Sequence, residues 1–366
     1  MRSERKATGI VAGAGVPHAP QFWTMPSTES PEEVATARAS MQEVGRRLQA
    51  LDPEVLILVG NDHSENFYRE CVPSFAIHTG PRPGGSVAGR TYAYTGAPKI
   101  AYDLVAQLQR QGFDPAYTAH ATLSYAYGIP LEFCSIDPDL PIIPIFVNAY
   151  FPPQPTPDRC WAFGQALNDA LKILGVRAVI IASGGMSHYP GTGRYSEPDY
   201  FTDEQMLTAL RSGRTRSMLE LDLLDLDRTG NDELLPWLVA GGALGQRVPD
   251  VTEYVPSWHH TYTTVGWTEE VHPDEPALYY PSPGKAEDLC DALHALRYDV
   301  KGACELFLTD IERFSEHFHL NQAESSAIST MVPAPLLELG AHPLLLTGAT
   351  RSLIARGFVV GEPVSK

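Results

Sequence analysis

The sequence is poor in positive charge. Its 366 residues contain 27 lysines and arginines against 44 aspartates and glutamates, which gives a formal net charge of −17 at pH 7. Contact with phosphates requires a basic surface, so this balance argues against a general nucleic-acid binder and against a protein that docks on anionic membranes. A few local cations could still hold a small anionic ligand, so small-molecule chemistry remains open.

Cysteines are also few, and no two of them form a C-x-x-C pair. An odd, unclustered set of five is typical of a reducing compartment and argues against a disulfide framework, a structural zinc site or an iron–sulfur cluster. The five are Cys71, Cys134, Cys160, Cys290 and Cys304. No run approaches the ~18 apolar residues that a membrane span needs. The weakly apolar stretch after MRSERK is interpreted as a buried first strand, and we predict a cytoplasmic protein.

Short apolar runs alternate with amphipathic segments, which is the pattern of an α/β layer structure. The predicted strands are Thr8–Ala14, Val55–Val59, Ser74–His78, Ile142–Val147 and Ala178–Ala182. The predicted helices are Pro31–Leu51, Ala97–Gln111, Pro157–Leu174, one after Thr202 and one at about Leu235–Leu244. From Ala286 onward the pattern is helical. We therefore expect a central mixed sheet flanked by helices, followed by a small all-α C-terminal domain.

Three of these strands lead into loops that carry a histidine. They present His18 in GAGVPHAP, His63 in VLILVGNDHSENFY and His188 in AVIIASGGMSHYPGTGRY. Ligands of open α/β sheets bind beyond the carboxyl ends of strands, so the three histidines could converge on one site. Each alone could equally be a capping or hydrogen-bonded loop histidine, but three together favour a shared site.

Glu233, in GNDELLPWLVAGGAL, is the carboxylate that could complete a metal site. It precedes an almost wholly apolar predicted helix, where an acidic residue could equally serve only the helix macrodipole. Two histidines and one carboxylate with open coordination positions form the facial triad of O2-activating Fe(II) enzymes. The spacing has no H-x-D or H-E-x-x-H signature, so the residues alone indicate only a possible metalloenzyme.

Four motifs in one order, GVPHAP, NDHSENFY, SGGMSHYPGTG and DELLPWLVAGGAL, resemble the class III extradiol ring-cleaving dioxygenases. This is the family of the protocatechuate 4,5-dioxygenase β subunit, and the resemblance covers about residues 8–270. It implies Fe(II)-dependent extradiol (meta) cleavage, with O2, of a catechol-type ring such as gallate, methylgallate, protocatechuate or a dihydroxypyridine. It also implies that His18, His63 and Glu233 bind the iron and that His188 acts as the acid/base.

The C-terminal run ERFSEHFHLNQAESSAISTMVPAPLLELGAHPLLLTGATRSL is similar to the small helical α subunit of the same enzyme. The resemblance implies that both subunits are fused in one chain, as in gallate dioxygenases. The corresponding domains would be a catalytic β-subunit-like domain at 1–283 and an α-subunit-like domain at 284–366. The family also implies a homodimer, in which the tail helps to cover an active site.

One motif departs from the family. Many members carry an active-site histidine in an Asp-His-Gly stretch, where this chain reads HATLSYAYGIPLEF with Ser124 and Tyr125 at the first two positions. Tyrosine can donate a hydrogen bond to a substrate oxygen but, with an ordinary pKa of about 10, is a poor base at pH 7. We therefore retain Tyr125 as a candidate catalytic residue and expect a preference other than the typical one for protocatechuate.

Substrate contacts are harder to assign. The segment PSWHHTYTTVGW (256–267) aligns with a family stretch that holds the substrate's distal carboxylate, which would make Thr261 and Tyr262 substrate-binding residues. An ordinary strand with alternating polar residues explains the segment as well. Arg90 and Arg194, in glycine-rich loops, are either cations for an anionic substrate or solvated surface charges.

Two other functions stay open. A divalent-metal hydrolase could use zinc and the same residues to activate water, and metal identity and O2 dependence would distinguish it. A non-catalytic binding protein of the same fold is the other alternative, and the presence of all four residues, His18, His63, His188 and Glu233, argues against it. The expected partners are therefore a small aromatic diol and O2, with Fe(II) as cofactor, and neither nucleic acid nor membrane.

Overall fold

The computed structural model describes residues 7–273 and 286–364. The chain separates into two compact units, Met1–Pro273 and Asp274–Lys366. The predicted domain boundary, between residues 283 and 284, lies outside the described residues, so that assignment stays a prediction. Across the two described stretches, no helix combines the length and the apolar character needed to cross a membrane.

The first unit is built on an eight-stranded mixed sheet. Its strands, in chain order and together with a separate β4–β5 hairpin, are β1 (Gly9–Val16), β2 (Val55–Asn61), β3 (Phe75–His78), β4 (Gly84–Val87), β5 (Arg90–Ala93), β6 (Ala116–Thr118), β7 (Ile142–Val147), β8 (Arg177–Ser183), β9 (Val251–Pro256) and β10 (Thr261–Trp267). The spatial order is β6-β3-β7-β2-β8-β1-β10-β9. The four central strands, β7, β2, β8 and β1, run parallel, whereas β10 joins β1 antiparallel.

Helices cover both faces of this sheet. Those of the first unit are α1 (Gln21–Thr24), α2 (Pro31–Ala50), α3 (Pro98–Arg110), α4 (Tyr125–Phe133), α5 (Pro157–Leu174), α6 (Tyr200–Arg211), α7 (Leu223–Thr229) and α8 (Leu234–Leu244), with a 3-10 helix at Thr215–Glu220. Strand β2 is buried throughout, as expected of a central parallel strand. Its side chains alternate: Val55, Ile57 and Val59 join a core with α3, α5 and α8, whereas Leu56 and Leu58 join a core with α2 and α4.

The second unit is helical. Its helices are α9 (Glu287–Tyr298), α10 (Ala303–Thr309), α11 (Ile311–His317), α12 (Gln322–Thr330), α13 (Pro333–Glu338) and α14 (Pro343–Ile354), with a 3-10 turn at Val300–Gly302. They enclose a core of their own that includes Leu293, Phe307, Phe314 and Leu345. The predicted fold class, a mixed sheet flanked by helices plus C-terminal helices, is confirmed.

Candidate active site

The three strand-end histidines come together because their strands are neighbours. Strands β2, β8 and β1 are consecutive and parallel, so their carboxyl ends share one edge of the sheet. His18 and His63 each lie two residues beyond a strand end, and His188 lies in the longer loop after β8. All three side chains face the carboxylate of Glu233, which precedes α8.

The hydrogen bonds of His18 determine which ring nitrogen carries the proton. The hydroxyl of Ser183 donates to the carbonyl of Ala126, so its oxygen accepts from Nδ1 of His18, 2.9 Å away. The neutral ring therefore has its lone pair on Nε2, which lies 3.0 Å from Oε1 of Glu233. Burial lowers the pKa of His18 and outweighs the opposing carboxylate of Glu233, which favours this neutral form.

His63 presents its Nε2 to the same carboxylate oxygen. The Asn61 amide donates to Nε2 of His63 over 3.2 Å, which places the proton of the neutral ring on Nδ1. Nε2 of His63 lies 3.4 Å from Oε1 of Glu233. Two acceptor atoms, Nε2 of His18 and Oε1 of Glu233, thus lie 3.0 Å apart, and such a pair is costly in a buried site unless a cation lies beside it.

The donor set of His18, His63 and Glu233 fits a metal ion. One ligand atom from each residue lies within 4.8 Å of the other two. Bonds of roughly 2.0–2.2 Å from imidazole nitrogen and carboxylate oxygen, meeting at right angles, would place ligand atoms about 3 Å apart. Two imidazoles and one carboxylate suit a divalent transition metal better than magnesium or calcium, which prefer oxygen ligands.

Glu233 is held as a carboxylate by several donors. The hydroxyl of Tyr150 donates to Oε1 over 2.6 Å, and the backbone NH of Gly185 donates to Oε2 over 2.7 Å. Burial acts to raise the pKa of Glu233, but the imidazoles of His18 and His188 and the hydrogen bonds hold it well below its usual value. The side chain makes no hydrogen bond to the amino end of α8, so it serves the site and does not cap the helix.

A second pair of histidines lies at the other oxygen of Glu233. Nδ1 of His188 donates to the carbonyl of Met186 over 2.9 Å, so Nε2 carries the lone pair and lies 3.7 Å from Oε2. The ring of His260 lies beside that of His188, with centroids 4.3 Å apart. Burial and the neighbouring His188 lower the pKa of His260 well below its ordinary value.

The two glycines of the GGMSH motif allow this close approach. A Cβ on Gly184 would collide with the backbone oxygen of Glu233, and a Cβ on Gly185 would collide with the ring of His260. A larger residue at either position would push apart the groups that form the site.

These groups line a cavity with an empty volume of about 590 Å³, part of it open to solvent. Its wall consists of His18, Ala19, Pro20, Gln21, His63, Tyr125, Tyr150, His188, Pro190, Tyr195, Glu233, His259 and His260. The wall is concave and consists largely of aromatic and imidazole rings, which suits a small aromatic ligand. Among the described residues, those that line the cavity include no lysine or arginine.

Tyr125, predicted to replace a family histidine, does line the cavity. Its ring lies 4.6 Å from that of His63 and 5.8 Å from that of His18, measured between centroids. Burial, with the negative charges of Glu233 and Glu65, raises its pKa. Its hydroxyl is therefore a hydrogen-bond donor at neutral pH.

The structure does not bring Thr261 and Tyr262 into the cavity wall. Both are buried, and their hydroxyls donate to Asp203 over 2.7 Å and to Glu29 over 2.8 Å respectively. Since the two hydroxyls are engaged by carboxylates, their assignment as substrate-binding residues stays a prediction to which these contacts give no support.

The two candidate cations also lie outside the wall. Arg90 pairs with Glu132 over 3.2 Å, and Arg194 donates to the carbonyl of Arg228 over 2.9 Å. Both are exposed, which fits the interpretation as surface charges.

Sequence reasoning assigned no role to two residues of the site, His260 and Tyr150. His260 precedes β10, which runs antiparallel to β1, so the start of β10 meets the carboxyl ends of the parallel strands. Recognition of that antiparallel strand would have pointed to His260. Tyr150 lies three residues beyond β7, the strand next to β2, so its position at a strand end was the available signal.

The comparisons with known proteins agree with the family resemblance of the four sequence motifs. The sequence model of one family, described as the catalytic LigB subunit of aromatic ring-opening dioxygenase, matches residues 12–270. A 2,3-dihydroxyphenylpropionate/2,3-dihydroxicinnamic acid 1,2-dioxygenase of Klebsiella pneumoniae (strain 342) is 27% identical over 226 residues, 52% of this chain and 72% of that protein. The Comamonas testosteroni protein of the same name is 29% identical over 229 residues, 60% of this chain and 68% of its own length.

Among solved structures, an uncharacterized protein of Escherichia coli K12 aligns with a TM-score of 0.48 and 18% identity. The alignment covers 70% of this chain and 99% of that one. The family match ends before the C-terminal helices, so their similarity to an α subunit stays a prediction.

Proposed function

Since the chain belongs to the LigB family of aromatic ring-opening dioxygenases, we propose that it uses Fe(II) and O2 for extradiol cleavage of a catechol-type ring. The observation that carries the proposal is the convergence of Nε2 of His18, Nε2 of His63 and Oε1 of Glu233. With two neutral imidazoles and one carboxylate, the site would keep a net positive charge once a divalent ion is bound, and could then accept an anionic diol.

In this proposal His18, His63 and Glu233 hold the ferrous ion. The bound ion would supply open coordination positions for diol and O2 and the redox chemistry between them. The Asn61 amide donates to Nε2 of His63 and to Oε1 of Glu233, and it would have to release Nε2 for the ion to bind. Ser183 accepts from Nδ1 of His18 and keeps the Nε2 lone pair of that ring directed at Oε1 of Glu233. Hydrogen-bond partners of this kind orient ligands and strengthen metal affinity.

His188 is the proposed acid/base. Its Nδ1–H is engaged by the carbonyl of Met186, so Nε2 is available to take a proton from a diol hydroxyl and later return it. Tyr125, beside His63 and His18, is the proposed donor of a hydrogen bond to a substrate oxygen.

The remaining wall suggests how the rest of the substrate is recognised. Gln21 donates to the Tyr195 hydroxyl over 3.1 Å, and the ring of Tyr195 stacks on that of His259 with centroids 5.1 Å apart. These side chains offer hydrogen bonds and a flat surface and no permanent positive charge. We propose that they contact the ring and its substituent, with gallate, methylgallate, protocatechuate, a dihydroxypyridine and 2,3-dihydroxyphenylpropionate as candidates.

The test is anaerobic loading with Fe(II), followed by O2 uptake and ring-opening absorbance with those five compounds and unsubstituted catechol. We expect the protein loaded with Fe(II) to take up one O2 for each ring opened, and the protein loaded with Zn(II) to take up none. Absence of uptake with every diol, or hydrolytic activity in the zinc-loaded protein, would contradict the proposal.

The resemblance of the C-terminal run to an α subunit supports a further part of the proposal, a homodimer. Light scattering coupled to gel filtration should give twice the 40.0 kDa chain mass. A monomer at micromolar concentration would contradict it.

A further inference from the structure

A buried carboxylate that does not reach the cavity lies behind the second histidine pair. Asp203, in the first turn of α6, is fully buried. Its Oδ2 accepts from the hydroxyls of Ser187 over 2.6 Å and Thr261 over 2.7 Å. Its Oδ1 accepts from the Ser187 backbone NH over 3.1 Å and from the Asn231 amide over 3.4 Å.

All three partners are themselves buried and come from separate segments of the chain. Each is close in sequence to a residue of the cavity wall: Ser187 beside His188, Thr261 beside His260, and Asn231 two residues before Glu233. Asp203 therefore ties together the loop after β8, the start of β10 and the loop before α8.

The position of Asp203 in a helix does not explain its burial. An acidic residue in a first turn commonly complements the helix dipole or caps the helix. Here Asp199 is the cap, since its carboxylate accepts from the backbone NH of Thr202 over 3.1 Å. Burial of a carboxylate is costly unless donors satisfy it, so the four donors around Asp203 indicate a specific use.

The segments that Asp203 joins also contact each other through the histidines. His188 and His260 form a backbone bridge, and the backbone NH of His188 donates to the carbonyl of Gly230 over 3.0 Å. The hydroxyl of Thr263 lies 3.4 Å from the sulfur of Met186. The relative orientation of the two imidazole rings thus depends on contacts that lie behind them.

We propose that Asp203 is the positioning residue of the His188–His260 pair: by accepting from Ser187 and Thr261 at one oxygen, it fixes both rings beside Oε2 of Glu233. The catalytic part of this inference rests on the proposed function of His188. The geometric part does not, because ring positions can be observed in the protein without metal or substrate.

The experiment compares the imidazole signals of His188 and His260 in nitrogen-15 NMR spectra of metal-free wild type, Asp203→Ala, Ser187→Ala and Thr261→Val at one pH. Asp203→Ala should shift both histidines, Ser187→Ala mainly His188, and Thr261→Val mainly His260. Glu204→Ala, an exposed acid on the same helix, is the matched control and should shift neither. Unshifted signals in the folded Asp203→Ala protein, or in both single-donor variants, would overturn the proposal.

Asp203→Asn adds a conservative variant. Its amide keeps one acceptor for the Ser187 NH and the Asn231 amide, and the two hydroxyls can rotate to accept from its NH2 group. The Ala variant should lose about 100-fold in kcat with unchanged metal content, since misplacement of about 1 Å has effects of that size, whereas Asn should restore most of it. An Asn variant as impaired as Ala would contradict positioning by hydrogen bonds.

The outcomes separate the two proposals. If no diol supports turnover in wild type, the proposed function fails while the NMR comparison still tests Asp203. If Asp203→Ala does not fold, as judged by near-ultraviolet circular dichroism, Ser187→Ala and Thr261→Val decide, because each leaves the carboxylate and the other donors in place.

Discussion

The two oxygens of Glu233 divide the site into two halves with different origins. The first half, His18 and His63 at Oε1, comes from residues immediately beyond adjacent parallel strands. The second half, His188 and His260 at Oε2, comes from a longer loop and from the start of an antiparallel strand.

The halves also differ in what supports them. In the first half, Ser183 and Asn61 hydrogen-bond to the imidazoles directly, and Ser183 directs the Nε2 lone pair of His18 toward Oε1 of Glu233, as a metal ligand requires. In the second half, the Met186 carbonyl holds the His188 ring directly, and the hydroxyls of Ser187 and Thr261, the chain neighbours of His188 and His260, both donate to Asp203. This difference suggests that one half holds a cation and the other manages protons.

Loss of Glu233 should have the largest effect, because both halves share it. In Glu233→Ala we expect metal affinity to fall by more than about 100-fold, since residues that only orient ligands are already worth about 10–100-fold. Metal content after gel filtration measures this. Asp232→Asn, the adjacent acid, is the control and should retain metal. Full metal content in Glu233→Ala would remove it from the ligand set.

Replacement of one histidine from each half tests the division itself. His63→Phe should lose the metal, whereas His188→Phe should retain it and lose about 100- to 10,000-fold in kcat, the usual contribution of a general acid or base. Metal titration and single-turnover kinetics on the same samples separate the two outcomes. Equal metal loss in both variants would mean that the halves are not distinct.

The grouping of three of the four histidines could be predicted from the sequence, for a physical reason. Buried parallel strands are continuous apolar runs whose carboxyl ends meet at one edge, so His18, His63 and His188 could be grouped without coordinates. The helix after Glu233 could also be predicted from the sequence, because Leu234–Leu244 is apolar throughout, and in the structure it is wholly buried.

The second half was less predictable because it depends on contacts between distant segments. Asp203 and Thr261 are 58 residues apart, and nothing in the local sequence indicates that they meet. The alternating polar residues of β10 resembled a substrate-binding stretch, yet Thr261 and Tyr262 donate to Asp203 and Glu29. The position of His260 could not be predicted locally either, because it depends on the direction in which β10 joins β1.

Two serines, one at the end of β8 and one in the loop that follows it, test the same difference between the halves with smaller changes. Ser183→Ala removes the acceptor that holds Nδ1–H of His18, so metal affinity should fall about tenfold. Ser187→Ala should leave metal affinity unchanged and lower kcat. Calorimetric titration with Fe(II) under anaerobic conditions measures the first effect. Loss of metal affinity in Ser187→Ala and not in Ser183→Ala would assign metal binding to the second half.

The pH dependence of metal binding has a defined sign. Protons compete with the metal for Nε2 of His18, and burial lowers the pKa of His18 from 6.5. Wild-type affinity should therefore change little from about pH 8 to pH 7 and decline only below the ordinary histidine pKa. A decline that is complete above pH 7 would contradict a buried, neutral His18.

Tyr125→Phe should have the smallest effect, because it removes one donor and leaves both halves intact. Loss of a single hydrogen bond should lower kcat about three- to tenfold, with metal content unchanged. Burial and the charges of Glu233 and Glu65 raise the pKa of Tyr125, so its hydroxyl stays protonated across the neutral range. The ratio of wild-type to variant kcat should therefore be constant from about pH 6 to pH 9. A ratio that rises with pH would instead indicate that Tyr125 acts as a base, and proton management would then extend to the side of the cavity where His18 and His63 lie.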